Sequence, residues 1–213
     1  MLFVTCTDLS EPSQVPESQW VGEISRAISG LIQAANGRTL VLFTSHSQLK
    51  SVYQNIREDL AGKKIRLLAH GLSGNRQQIL EEFRNTERCC LMGANSFWEG
   101  VDVIGESLSL VIIVKLPFWP PAMPTTAARL ENMAKAGRDG FREYSLPQAI
   151  IRFKQGFGRL IRSTEDSGVV CLLDKRMLTK YYGRFFLEEL PTNRIEQGSW
   201  EEAASMISRW LEK

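Results

Sequence analysis

Apolar positions along the chain follow two periods. Short apolar-rich runs at residues 39–44, 65–69, 89–93, 108–116 and 169–173 read as strands, the first (TLVLFT) apolar enough for burial on both faces. Between and after them, apolar residues recur every three or four positions and predict helices. Trp20, Ile24, Ile28, Leu31 and Ile32 mark one, ended near Asn36–Gly37 by a C-cap signal. Further helices are expected over residues 46–60 with Ser45 as N-cap, 76–83, 125–136, 148–162, 181–189 and 200–211. Residues 2–7 form one more strand-like run, followed by DLSEPSQVPESQ, an extended, Pro-containing linker. Strands alternating with helices indicate a mainly parallel sheet with helices on both faces. Ligands in such folds gather at the carboxyl ends of the strands. The unusual residues fall there: Ser45–His46, 95–102, Pro117–Pro121 and Asp174–Arg176.

The stretch 148–162, QAIIRFKQGFGRLIR, organises the rest. Ile150, Ile151, Phe153, Phe157, Leu160 and Ile161 supply an apolar face, and Gln155, Arg159 and Arg162 share the opposite one. Gly156 and Gly158 sit inside the helix pattern, each at a cost of roughly 1 kcal/mol relative to alanine. Glycine there allows close approach to the backbone. A glutamine and two guanidinium forks beside that approach suit a phosphate-bearing partner. They suit a solvated basic helix face equally well.

Composition narrows the class without choosing the function. The chain has 213 residues, 43% hydrophobic and 23% charged, as in an ordinary globular α/β domain. A net charge of +2 is too small to argue for nucleic acid, so basic surface must be local; Arg152, Lys154, Arg159 and Arg162 are the densest candidate. The four cysteines show no CxxC pairing and read as buried thiols in a reducing, cytoplasmic setting. No apolar run approaches the ~20 residues of a membrane helix, so no membrane is expected. Residues 117–147 begin with PFWPPAMP, which cannot continue a strand or helix, and look like an elaboration carried on the sheet.

Three further stretches offer polar groups to a ligand. SFWEGVDV places Glu99, Gly100 and Asp102 in a loop after a strand, although a turn with an aromatic anchor explains it as well. FTSHSQL offers hydroxyls and helix-start amides to a phosphate, with a plain N-cap at Ser45 the commoner reason for such a pattern. LLDKR sets Asp174 near Arg176, where a structural salt bridge is the simpler reading. The two histidines, His46 and His70, belong to no nucleophile or metal constellation; GxSxG and HExxH are absent, and no metal ligands are assigned. GxxxxGK[ST] is absent too. The arginines then look like half of a site, an arginine finger offered to a nucleotide held elsewhere, worth roughly 10³–10⁵ in rate.

On these residues the chain resembles the superfamily 2 helicases of the DinG and XPD type. QGFGRLIRSTEDSGVVCLLDKR resembles motif VI and its following strand, SFWEGVDV motif V, and TLVLFTSHSQL motif IV. EYSLPQAIIRFKQGFGRLIRS is closest to the DinG branch. The resemblance implies a RecA-like three-layer sandwich, the second motor domain of an ATP-dependent DNA helicase. It implies that Arg159 and Arg162, with Gln155 beside them, reach ATP phosphates across a cleft. Glu99, Gly100, Asp102 and Gly158 would lie near the nucleotide. Ser45, His46, Ser96, Phe97 and Trp98 would lie along single-stranded or forked DNA, and Asp174 and Arg176 would support motif VI. ATP and Mg²⁺ would be held mainly by an N-terminal RecA-like domain of the same protein, and an iron–sulfur cluster only in that absent part. Residues 1–19 would be the crossover from that domain and 20–213 the motor domain itself, from an excised portion or a truncated gene, inactive alone. The alternative is a non-catalytic nucleic-acid-binding or regulatory module that has lost its ATPase partner.

Overall fold

The computed structural model describes residues 1–98, 108–158, 160 and 167–212. Its strands are β1 (Leu2–Cys6), β2 (Thr39–Phe43), β3 (Arg66–Ala69), β4 (Cys89–Ala94), β5 (Leu110–Ile113), β6 (Val169–Leu172) and β7 (Ile195–Gly198). The helices are α1 (Glu17–Ala34), α2 (His46–Gly62), α3 (Arg76–Asn85), α4 (Pro124–Lys135), α5 (Leu146–Phe157), α6 (Arg176–Thr179), α7 (Gly183–Leu187) and α8 (Trp200–Leu211).

The strands form one seven-stranded sheet in the order β3-β4-β2-β5-β6-β1-β7. Every neighbouring pair is parallel. Parallel strands need crossovers, and the helices supply them on both faces. Because β1, β2, β4, β5 and β6 are covered on both sides, all their residues are buried, which explains their unbroken apolar runs. On one face Val41, Phe43, Ile112 and Cys171 pack with α1, α2 and α8 through Ile24, Ile28, Val52 and Ile207. On the other, Phe3, Leu42, Ile113 and Val170 meet α3, α5 and α7 through Phe83, Phe153 and Phe186. This is the RecA-like three-layer sandwich.

The boundary expected at residue 19 is displaced. β1 lies inside the sheet, Val4 opposite Cys171 on one side and Glu196 on the other. The Pro-containing stretch after it is also tied down: Glu11 is buried, accepts a hydrogen bond from Thr179 at 3.2 Å and pairs with Lys180 at 3.4 Å. Residues 1–19 are therefore built into the domain rather than strung outside it. β7 was not foreseen, because its IEQG sequence has no apolar pattern; its backbone bonds to β1 hold it as an edge strand.

Other expected elements are adjusted at their ends. Ser45 caps α2, its hydroxyl accepting from the Gln48 amide. The chain leaves α1 through left-handed Asn36 and Gly37, and a Cβ at Gly37 would meet the Arg88 backbone at 2.7 Å. The loop expected before α5 is partly wound: Asp139 accepts from the amides of Phe141 and Arg142 at 3.0 Å each, and Phe141–Ser145 leads as a π-type turn into Leu146. The elaboration over residues 117–147 stays on the domain, Phe118 stacking on Phe141 with centroids 5.8 Å apart.

Phe153 fastens α5 to the sheet through ring contacts with Phe3, Phe157 and Phe186 at 6.1, 5.5 and 5.4 Å. Phe153→Ala is expected to destabilise the domain by about 3–5 kcal/mol, read as a lower urea midpoint at unchanged slope. An unmoved midpoint would show that α5 is held some other way.

Candidate functional site

Polar residues collect on the carboxyl edge of the sheet where β2, β3 and β4 end. β2 and β4 are neighbours, with Phe43 opposite Ala94, so Ser45 and Ser96 each stand two residues past a paired position. The Ser45 and Ser47 hydroxyls are 2.7 Å apart at the start of α2. His46 is exposed, its ring 5.1 Å from that of His70, which follows β3. His70 lies 4.8 Å from the Phe97 ring, and its Nδ1 is buried with no hydrogen-bond partner among the described residues. Burial, then His46 and Arg76, hold the His70 imidazole below its ordinary pKa. Arg76 donates to the Ser96 carbonyl at 3.4 Å and stands 5.7 Å from the Phe97 ring. Ser45, His46 and Ser96 are thus brought together, joined by His70 and Arg76, which sequence reasoning left out. Only the sheet order, which places β3 and β4 beside β2, could have found them.

Phe97 and Trp98 require a correction as nucleic-acid contacts. Both side chains are fully buried, and the Trp98 indole N–H donates to the Phe43 carbonyl at 2.8 Å. They are the aromatic anchor of the turn, and the solvent-facing positions are Asn95 and Ser96.

Helix α5 differs from expectation in its end and its faces. It stops at Phe157, where Gly158 is the cap and donates to the Lys154 carbonyl at 3.0 Å, rather than running to residue 162. Its buried stripe is Leu146, Ala149, Phe153, Gly156 and Phe157, whereas Ile151, placed on the apolar face from sequence, is 49% exposed. Arg152, counted as basic surface, is buried instead. Its guanidinium lies 3.8 Å from the Trp119 ring centroid and 5.4 Å from that of Trp98, and donates to the Pro117 carbonyl at 3.2 Å. Lys154 pairs with Glu189. Gly156 has a cause within this domain: a Cβ there would stand 3.0 Å from the Trp98 ring and 3.4 Å from Ile113. Gln155 is half-buried, with its Oε1 buried and unpartnered among the described residues.

Glu99, Gly100, Asp102, Arg159 and Arg162 lie outside the described residues. Their flanks do not. Leu160 packs where a Cβ on Gly168 would be, and Gly168 accepts from the Leu2 amide at 3.0 Å. The Val169 amide donates to the Ser109 carbonyl at 2.9 Å, and Leu110 is paired with Val169. The later flank of each stretch therefore reaches the amino edge of β5 and β6, whereas Trp98, just before Glu99, stays at the carboxyl edge beside Ser96.

Buried Asp174 pairs with half-buried Arg176. Asp174, 4% exposed, accepts from the Leu116 amide at 2.9 Å and from Arg176 Nε at 2.8 Å and Nη2 at 2.5 Å. It ties the end of β5 to α6. Beside it Lys115 lies 4.1 Å from the Trp20 ring centroid, its pKa lowered first by burial and then by Arg176. Among the described residues no three His, Cys, Asp or Glu side chains gather to hold a metal ion, and no helix is long and apolar enough to cross a membrane. All four cysteines are free and buried.

Residues 28–193 match the family described as the helicase C-terminal domain. The 3'-5' exonuclease DinG of Bacillus subtilis (strain 168) is 37% identical over 193 residues, 90% of this chain and 21% of that protein. The ATP-dependent DNA helicase YoaA of Escherichia coli (strain K12) is 40% identical over 169 residues, 79% of this chain and 26% of that protein. The chain thus spans about a quarter of the length of these relatives. A solved XPD helicase superposes with a TM-score of 0.70 at 18% identity, over 92% of this chain and 35% of that one. The C-terminal domain of the DEAD-box protein Dbp5 gives 0.56 at 13% identity, over 98% and 96%. At those identities the two structures speak for the fold alone.

Two outcomes are expected here. Asp174→Ala strands Arg176 and the Leu116 amide and should cost about 3 kcal/mol in urea unfolding, the lower end for a broken buried pair because Arg176 is partly exposed. Loss of less than about 1 kcal/mol would place the pair among ordinary surface bridges. For His70, the unfolded chain takes up its proton near the ordinary value of 6.5 and the folded chain only at lower pH. Its contribution to stability is therefore steady above about pH 6.5 and falls as the pH drops through that value. His70→Gln should flatten the decline in urea midpoint between about pH 7 and pH 5; an identical decline in the variant would contradict the assignment.

Proposed function

The chain belongs to the helicase C-terminal domain family, and from that premise we propose that it is the second RecA-like motor domain of an ATP-dependent DNA helicase of the DinG and XPD type. The observation that carries this reading is the meeting of two flanks at one edge of the sheet. The stretch holding Arg159 and Arg162 and the stretch holding Glu99, Gly100 and Asp102 enter neighbouring strands, with Ser109 and Val169 bonded between them. Gln155, one turn before, has a buried amide oxygen unpartnered among the described residues. Such an edge can offer donors and acceptors to a polar ligand supplied by another domain.

In this reading ATP is bound mainly by an N-terminal RecA-like domain of the same protein, and supplies the phosphoryl group that is transferred to water. Arg159 and Arg162 bring fixed guanidinium charge to the phosphates, stabilising negative charge as it spreads over the transferred group. Gln155 and Gly158 shape the approach, and Glu99, Gly100 and Asp102 contribute to it from the segment between β4 and β5. Mg²⁺ is assigned with ATP mainly to that other domain. The opposite edge takes single-stranded DNA: the Ser45 and Ser47 hydroxyls, the α2 amides, Ser96, His46 and Arg76 present donors suited to phosphate oxygens.

A second reading is a nucleic-acid-binding module without an ATPase partner. It is favoured by the fact that the carboxyl edge is assembled wholly within this chain, whereas the nucleotide edge needs a second body.

The purified 213-residue chain is expected to bind labelled oligothymidylate, with a logarithmic salt slope of about −0.7 per phosphate contacted, and to hydrolyse no ATP. Joined to its N-terminal motor domain, it should support DNA-stimulated hydrolysis that Arg159→Ala lowers by roughly 10³-fold or more without unfolding. Near-normal turnover in that variant would remove the finger role. DNA binding with no response to ATP, in the presence of a P-loop domain, would favour the second reading.

A further inference from the structure

Trp98 is where the carboxyl edge and α5 touch. It is fully buried two residues after Ser96, and its indole N–H donates at 2.8 Å to the carbonyl of Phe43, two residues before Ser45. Its ring fills the space that any side chain at position 156 would need, 3.0 Å from an ideal Cβ there. The Arg152 guanidinium lies over the same ring at 5.4 Å. One side chain is thus bonded to the strand that presents Ser45, continuous with the turn that presents Ser96, and packed without a spacer against the turn of α5 that carries Gln155. A glycine inside a helix weakens it, and here the glycine admits the indole to the helix backbone. Interiors packed to crystal-like density have low compressibility, so a displacement of the ring is passed to whatever it touches.

We propose that Trp98 is a positioning residue linking the carboxyl edge to the last turn of α5: a single strand seated at Ser45 and Ser96 shifts the indole, and the indole sets the place of Gln155 and the α5 cap at Gly158. The inference rests on the DNA-binding reading given above. It adds the element through which occupancy of that edge is felt at the end of α5.

The test uses the ¹⁵N-labelled chain and an oligothymidylate of about twelve nucleotides, within the usual site sizes of single-strand binders. Amide resonances of Ser45 and Ser96 report the edge, and those of Gln155 and Gly158 report α5. In the wild-type chain all four should shift along one saturation curve. Trp98→Phe keeps a ring in the core but removes the bond to Phe43, and Gly156→Ala pushes ring and helix apart. In either variant the edge shifts should persist, while those of Gln155 and Gly158 fall at least about threefold, as expected when a contact coupling two groups is cut. Undiminished α5 shifts in a folded variant overturn the proposal, and should one variant fail to fold, the other decides. A moving edge with silent α5 amides in the wild type overturns the proposal but leaves the DNA-binding reading standing. A silent edge overturns both.

Discussion

Because β5 and β6 pair in parallel at the middle of the sheet, with Leu110 opposite Val169, each must be entered from the same side and left from the other. Every connection in an all-parallel sheet obeys that rule. It separates the loops of this domain into two sets that cannot mix. One set, at the carboxyl edge, holds Ser45, His46, His70, Ser96 and the Asp174–Arg176 pair. The other, at the amino edge, holds Ser109 and Gly168, where the chain enters β5 and β6.

What keeps the two edges in register is the layer between them. The strands are buried on both faces, so their apolar runs cannot slip without exposing side chains worth roughly 1.5–3 kcal/mol each. The charged groups at the border of this layer enter it with partners. Asp174 satisfies the Leu116 amide as well as Arg176, so it fixes a loop in addition to pairing a charge. Arg152 is accommodated by planar stacking over Trp119 and a bond to the Pro117 carbonyl, which holds the proline-rich elaboration against α5. An ammonium in its place could neither stack in that way nor donate in a plane.

Much of this was legible in the sequence because strands and helices write different periods. The doubly covered strands, the Ser45 cap and the α1 exit at Asn36–Gly37 follow from local pattern. The failures have a shared physical origin. β7 is specified by backbone bonds to β1, which leave no mark on its side chains. Arg152 and Ile151 exchange places because burial on α5 is decided by Trp98, Trp119 and the sheet rather than by hydrophobicity in isolation. β1 was taken for a crossover because its partners, β6 and β7, lie far along the chain. At the site, the sequence supplied Ser45, His46 and Ser96 but not His70 and Arg76, whose membership depends on which strands are neighbours.

The glycines of α5 show how one reading can hold at one position and miss at its neighbour. From sequence, Gly156 and Gly158 both suggested close approach to the backbone. The structure divides them. Gly158 ends the helix, whereas Gly156 is filled against from inside the same domain by Trp98. Close approach there is to a side chain from the neighbouring SFWEGVDV stretch. The two stretches whose spacing first drew attention are therefore in physical contact through one indole, and the helix gives up stability at position 156 in order to make that contact.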